Sequence, residues 1–275
     1  MINIKFKKIV INVLALGIVI AFLFPYFFMV TSAFKSRLDT FAYPPVFFFF
    51  KPTLNNFVTI FRDINIMFYM KNSLIISIAS TLLSLAIAIP ATYSLVRYQF
   101  RLHEEISFGF LLLQMIPGVS VVFSLFFIIR SVHLQDTYIA LILSYLLWNV
   151  PYAIWLLRGF LESIPVQLEE AAIVDGCTRL KAFILITLPL MAGGLVATAI
   201  LIFIGVWNEF ALAFFLTSTK SRTMPTTIAF FVTHAGIKWG PMFATATIGT
   251  LPVVVFSLLV RKYFVKALTM GAIKG

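Results

Sequence analysis

Residues 72–96 read NSLIISIASTLLSLAIAIPATYSLV, twenty-five residues without one charged side chain. About 20 apolar residues in a helix cross about 30 Å of hydrocarbon, so this stretch is long enough to span a membrane unaided. Five further charge-free runs of similar length flank it, at 9–34, 106–129, 137–157, 182–208 and 239–260. The runs are continuous rather than alternating with period two, and lipid tolerates no unpaired backbone, so helices are predicted and a barrel is not. Composition agrees. Hydrophobic residues make up 61% of the chain and charged ones 11%, against about 45–50% and about 25% in ordinary soluble domains. The predicted fold class is an all-α polytopic membrane protein of six transmembrane helices, with residues 1–275 forming one transmembrane domain.

The formal net charge of +11 invites a nucleic-acid reading, but the basic residues stand beside the spans and form no single patch. Membrane topology accounts for them. With both termini inside, the cytoplasmic segments hold Lys5, Lys7, Lys8, Arg97, Arg101, Arg158, Arg179, Lys181, Arg261, Lys262, Lys266 and Lys274, the inside excess of positive charge that membrane proteins favour. No nucleic-acid partner is expected, and membrane lipid is. The first run has lysines ahead of it like a secretory signal. Its length exceeds a typical signal core and no small-residue cleavage site follows Pro25, so it is read as a retained helix. Phe41 to Phe50 is apolar but short and contains Pro44-Pro45, which marks a loop. Cys177 is the sole cysteine, and His103, His133 and His234 are scattered, so no metal site is expected.

One connection is long and polar enough to need a task of its own. The stretch 158–188 carries Arg158, Glu162, Glu169, Glu170, Asp175, Arg179 and Lys181. Its local signals describe helix, turn, helix. Pro165 suits a first helical turn, and Glu169 and Glu170 follow where carboxylates complement the positive end of the helix dipole. Gly176 supplies the positive φ that ends a helix, Thr178 is an N-cap, and Pro189 is expected to break or bend the second helix. The product is an elbow at about 159–188 that projects into the cytoplasm, with Ala171 and Ala172 leaving one side nearly flat.

Residues 170–189 read EAAIVDGCTRLKAFILITLP. This resembles the EAA loop of ABC importer permeases, E-A-A-x-x-x-G, nine residues, then I-x-L-P. The ending Thr31-Ser32-Ala33-Phe34-Lys35, the triplet Lys71-Asn72-Ser73, Gln114-Met115-Ile116-Pro117, Trp207-Asn208-Glu209-Phe210 and Gly271-Ala272-Ile273-Lys274-Gly275 look like marks of the carbohydrate group, of the maltose-system second-permease kind. The resemblance covers essentially the whole chain and departs at Cys177, where the family usually has Ala.

The resemblance implies the type I importer permease fold in a bacterial cytoplasmic (inner) membrane. The implied partners are a homologous second permease subunit, a dimer of nucleotide-binding ATPase subunits and an extracytoplasmic solute-binding protein. The chain itself would not be an enzyme or hold a cofactor, since no G-x-x-x-x-G-K-[ST] loop occurs; ATP and Mg would sit on the partner ATPase. The elbow residues Glu169, Glu170, Ala171, Ala172, Asp175, Gly176, Ile186, Leu188 and Pro189 would couple to that ATPase. Trp207, Asn208 and Glu209 are candidates for translocation or gating. Gly236, Lys238, Trp239 and Gly240 are candidates for a loop toward the binding protein, and Lys274 and Gly275 for a tail on the ATPase. The function expected is sugar import, with a polyol or glycerol-phosphate importer, or an ion-coupled secondary transporter, as the alternatives.

Overall fold

The computed structural model describes the backbone of residues 4–98 and 100–270, and the side chains of 8–98 and 100–258. In chain order the helices are α1 (Ile4–Ala33), α2 (Arg37–Thr40), α3 (Asn55–Arg62), α4 (Ile66–Arg97), α5 (His103–Gln114), α6 (Val122–Ser131), α7 (Tyr138–Glu162), α8 (Gln167–Val174), α9 (Arg179–Leu190), α10 (Ala192–Asn208), α11 (Ala211–Leu216) and α12 (Trp239–Met270). A two-stranded hairpin, β1 (Val232–Thr233) with β2 (Gly236–Ile237), precedes α12.

Among the described residues, four helices are each long and apolar enough to cross a membrane, and two bent pairs bring the number to six if each pair is one span. Two of the six predicted spans are therefore bent. The run 106–129 is not continuous: α5 and the segment Gly118–Ser131 meet at 89°. Pro117 lacks a donor and holds the residue before it extended, so the helix cannot run through. In the run 182–208, α9 and α10 meet at 70°. Pro25, Pro90, Pro151 and Pro252, by contrast, lie inside α1, α4, α7 and α12.

The chain forms two compact units, one of Met1–Phe68 with Thr227–Leu251 and the other of Tyr69–Thr226 with Pro252–Gly275. The second unit contains a buried cluster drawn from α4, α6, α7, α10 and α11, with Leu141, Leu157, Leu161 and Ile202 almost wholly enclosed. Between apolar helices in lipid, close backbone approach and hydrogen bonds take over from the hydrophobic effect. Gly194 of α10 shows this, because a Cβ there would collide with the ring of Phe160 on α7. The first unit holds α1, whose apolar stretch is exposed from Lys8 to Phe27 and becomes buried only at its end, at Ser32 and Ala33.

Candidate functional site

The elbow starts later than expected, at Ser163, because α7 continues to Glu162 and pairs Arg158 with Glu162 on its exposed side at 2.6 Å. A short turn through Pro165, whose carbonyl accepts from Leu168 N–H, leads into α8 with Glu169 and Glu170 in its first turn. Gly176 ends α8 at φ +90, and the N–H of Cys177 returns to Ala172 O at 2.9 Å. That six-to-one bond with a left-handed residue is a Schellman closure. Thr178 then caps α9, its hydroxyl accepting from Lys181 N–H at 3.3 Å. The expected helix, glycine turn and capped second helix are all present.

Pro189 is a correction: α9 passes through it and bends only at Met191. The turn Phe183–Thr187 ahead of the proline is a wide π turn, in which Leu188 N–H reaches back to Phe183 O. One extra residue in that turn relieves the crowding a proline ring imposes on a regular helix.

The two neighbouring glutamates of α8 face opposite ways. Glu170 is exposed, together with Ala171, Asp175 and Gly176, whereas Glu169 is 4% exposed. Arg97, at the end of α4, donates from Nε to Glu169 Oε1 at 2.8 Å, and Tyr93 Oη donates to Glu169 Oε2 at 2.8 Å. Arg97 Nη2 also donates to Ile164 O at 2.9 Å and Leu161 O at 3.4 Å. Of the remaining elbow candidates, Ala172, Ile186 and Leu188 are half-buried and Pro189 is exposed.

The Trp207-Asn208-Glu209 string closes α10. Trp207 is buried, Asn208 donates to Ile204 O at 3.0 Å, and Glu209 turns back as a cap for α11. Its carboxylate accepts from Leu212 N–H at 2.8 Å and Ala213 N–H at 3.1 Å, and from Tyr145 Oη at 2.9 Å. After α11 the chain enters a loop, 217–224, whose fastening by Asp136 and Asn72 sequence reasoning did not find. Asp136 accepts from the backbone N–H groups of Ser218, Thr219, Lys220 and Ser221 and from the hydroxyls of Ser218, Thr219 and Ser221. Burial alone would raise its pKa, but those backbone donors win and hold the carboxyl well below the usual carboxylate range. Asn72, fully buried near the start of α4, donates to Lys220 O and Arg222 O at 3.0 and 2.8 Å, and accepts from Tyr138 Oη at 2.7 Å. Ser73 Oγ accepts from Met224 N–H at 2.7 Å.

In the other compact unit, Gly236 takes φ +107 in the β1–β2 hairpin, and Lys238 N–H closes back onto Phe231 O at 2.9 Å. Trp239 opens α12 and stacks on Phe243, while Gly240 admits the side chain of Asn56, which donates to Ala33 O and Lys35 O. Gly236, Lys238, Trp239 and Gly240 thus line one cavity of about 330 Å³ with Arg37 and Asn56. Beside it Lys35 is 4% exposed, its ammonium over the rings of Phe28, Phe50 and Phe47 at 5.0, 5.4 and 5.9 Å. Burial lowers its pKa, opposed by Asp39. Lys274 and Gly275 lie outside the described residues.

Several helices long and apolar enough to span a membrane, two of them joined by a polar elbow, define a multi-pass membrane protein. The chain belongs to the family of binding-protein-dependent transport system inner membrane components, whose family model matches residues 80–270. It is 38% identical over 273 residues to the trehalose/maltose transport system permease protein MalG of Thermococcus litoralis, covering 98% of each chain. It is 34% identical over 271 residues to the diacetylchitobiose uptake system permease protein DasC of Streptomyces coelicolor, again covering 98% of each. A bacterial ABC transporter involved in the import of the acidic polysaccharide alginate contains a chain of the same fold, with TM-score 0.77 at 19% identity, covering 96% of this chain and 99% of that one. The family expected from the motif at 170–189 is the one found. The chain is a membrane-spanning permease subunit of a binding-protein-dependent ABC importer.

Proposed function

We propose that this subunit, paired with a homologous permease, carries a carbohydrate across the cytoplasmic membrane by alternating access, and that ATP hydrolysis in two separate nucleotide-binding subunits drives it through the elbow. The supporting observation is α8: it is closed at Gly176 with Glu170, Ala171 and Asp175 exposed on a backbone held from within by Glu169. A carboxylate beside small side chains on a fixed helix suits a basic cleft on a partner. The elbow and both termini then lie in the cytoplasm, and the β1–β2 hairpin faces the solute-binding protein. The substrate class rests on the relatives' names, trehalose/maltose and diacetylchitobiose. Family membership replaces the ion-coupled reading.

The test is pull-down of the nucleotide-binding subunit, with ATP hydrolysis and labelled-disaccharide uptake in proteoliposomes. Gly176→Val meets open space, so its cost is backbone strain alone, about 1–3 kcal/mol for a left-handed position, enough to displace α8. Glu170→Lys reverses a contact of the hot-spot class, worth about 2 kcal/mol or more. Both variants are expected to insert normally and to bind the ATPase at least tenfold less. Full binding and full stimulated hydrolysis in both would remove the elbow from the mechanism.

A further inference from the structure

Tyr93 and Arg97 lie one turn apart at the end of α4, and between them they hold all three arms of the elbow. Arg97 reaches the carbonyls of Leu161 and Ile164 where α7 runs out, and the Glu169 carboxylate on α8. Tyr93 takes the other oxygen of Glu169, and its ring packs at 4.5 Å on Phe183 of α9. The side chains of the ion pair are 12% and 6% exposed, so the clamp faces inward while Glu170 faces out. The chain continues from the elbow into α7 and α9, but not into α4.

We propose that Arg97 and Glu169 are positioning residues for energy coupling, and that movement of the docked elbow enters the membrane bundle through α4 by way of this clamp. The proposal rests on the elbow being the ATPase-docking element. Arg is suited to the task because its planar fork bonds carboxylate and carbonyls at once, whereas a lysine ammonium is a single point. The other end of α4 is fastened as firmly: Asn72 and Ser73 grip the 217–224 loop. The part of α4 from Asn72 to Arg97, about 38 Å long at 1.5 Å per residue, therefore joins the elbow to that loop as one continuous helix with Pro90 inside it. Its displacement at one end appears at the other.

The test uses the complete transporter, both permeases with the nucleotide-binding subunits and the solute-binding protein, in proteoliposomes. A fluorophore on Met67→Cys in a Cys177→Ser background reports the start of α4, where Met67 is 53% exposed. In the parent, ATP is expected to change its emission. Glu169→Gln preserves shape and removes the charge, and Tyr93→Phe removes one hydroxyl while leaving the ring on Phe183. Both are expected to bind the ATPase at the parental level and to hydrolyse ATP in detergent, yet to lose the ATP-induced emission change and at least fivefold of uptake per ATP. Arg97→Lys should fall between. Parental emission change and uptake in Glu169→Gln and Tyr93→Phe would overturn the proposal. Loss of ATPase binding in those variants would overturn it too, reducing the clamp to a support of the docking surface. The docking reading itself is judged separately, by whether Glu170→Lys keeps its ATPase.

Discussion

Asp136 has φ +56, a left-handed conformation, and its carboxylate is wrapped by the amides and hydroxyls of 218–221. Asn tolerates that conformation, so Asp136→Asn removes the charge without adding strain. Hydrogen bonds to a charged group contribute about 1.5–3 kcal/mol, and a loss of about that order is expected in the thermal stability of the detergent-solubilised complex. The sign with pH follows from the depressed native pKa. The stabilisation is complete above the unfolded carboxyl value of about 4 and is lost as pH falls toward the native one. Melting curves should show the advantage of Asp136 over Asn at full size near neutrality and shrinking below about pH 4. A constant difference across that range would contradict the assignment. Nothing near Asp136 in sequence points to this role, because its partners begin 82 residues away. Glu209 entered as part of a family string, and its capping of α11 needed the turn of the chain to be seen. Capping at Gly176 and Thr178 was legible because donor and acceptor lie within a few residues.

Elements repeat the contrast between local and distant causes. The elbow was read closely, because caps, glycine and proline act within a turn or two. Hydropathy sees length and not direction, so the two bends at 117 and 191 were hidden inside apolar runs. Pro117 was a visible warning for one, and Pro189 for the other, although the helix runs through that proline and bends two residues later at Met191. Close packing is equally silent. Gly194 and Gly193 are adjacent in sequence, yet a Cβ at Gly194 meets the Phe160 ring while one at Gly193 meets nothing. Gly194→Val is expected to destabilise the α7–α10 contact by about 1–3 kcal/mol, the usual cost of overpacking, and Gly193→Val to leave the melting temperature nearly unchanged. Equal effects from both would mean that helix propensity, and not the Phe160 contact, sets the cost.

At the scale of the whole molecule, the number of apolar runs and the excess of Lys and Arg beside them carried the fold class before any contact was known. The clamp at Arg97 and the fastening at Asn72 did not show themselves, since each joins residues far apart in sequence and leaves no periodic trace. The proposed orientation rests on the positive-inside argument and is open to a direct check. Single cysteines at Ser163 in the elbow and Asn55 at the start of α3, each in a background lacking Cys177, meet an impermeant thiol reagent in intact cells, with any outer membrane permeabilised. Asn55→Cys is expected to react and Ser163→Cys to react only after lysis. The reverse pattern would place the elbow outside and detach it from any ATP-hydrolysing partner.

The wide turn at Phe183–Thr187 has a consequence for alignment in the angular sense. Each residue of a regular helix turns the chain by about 100°, and a π turn holds one residue more than its neighbours. The nine residues between Gly176 and Ile186 are therefore a phase setting as much as a length. Removing one would make α9 a more regular helix and, in doing so, rotate its capped Thr178 end about the axis relative to Pro189. The whole of α8 would point Glu170 in another compass direction. A change that improves the helix by every local measure would leave the elbow facing the wrong way.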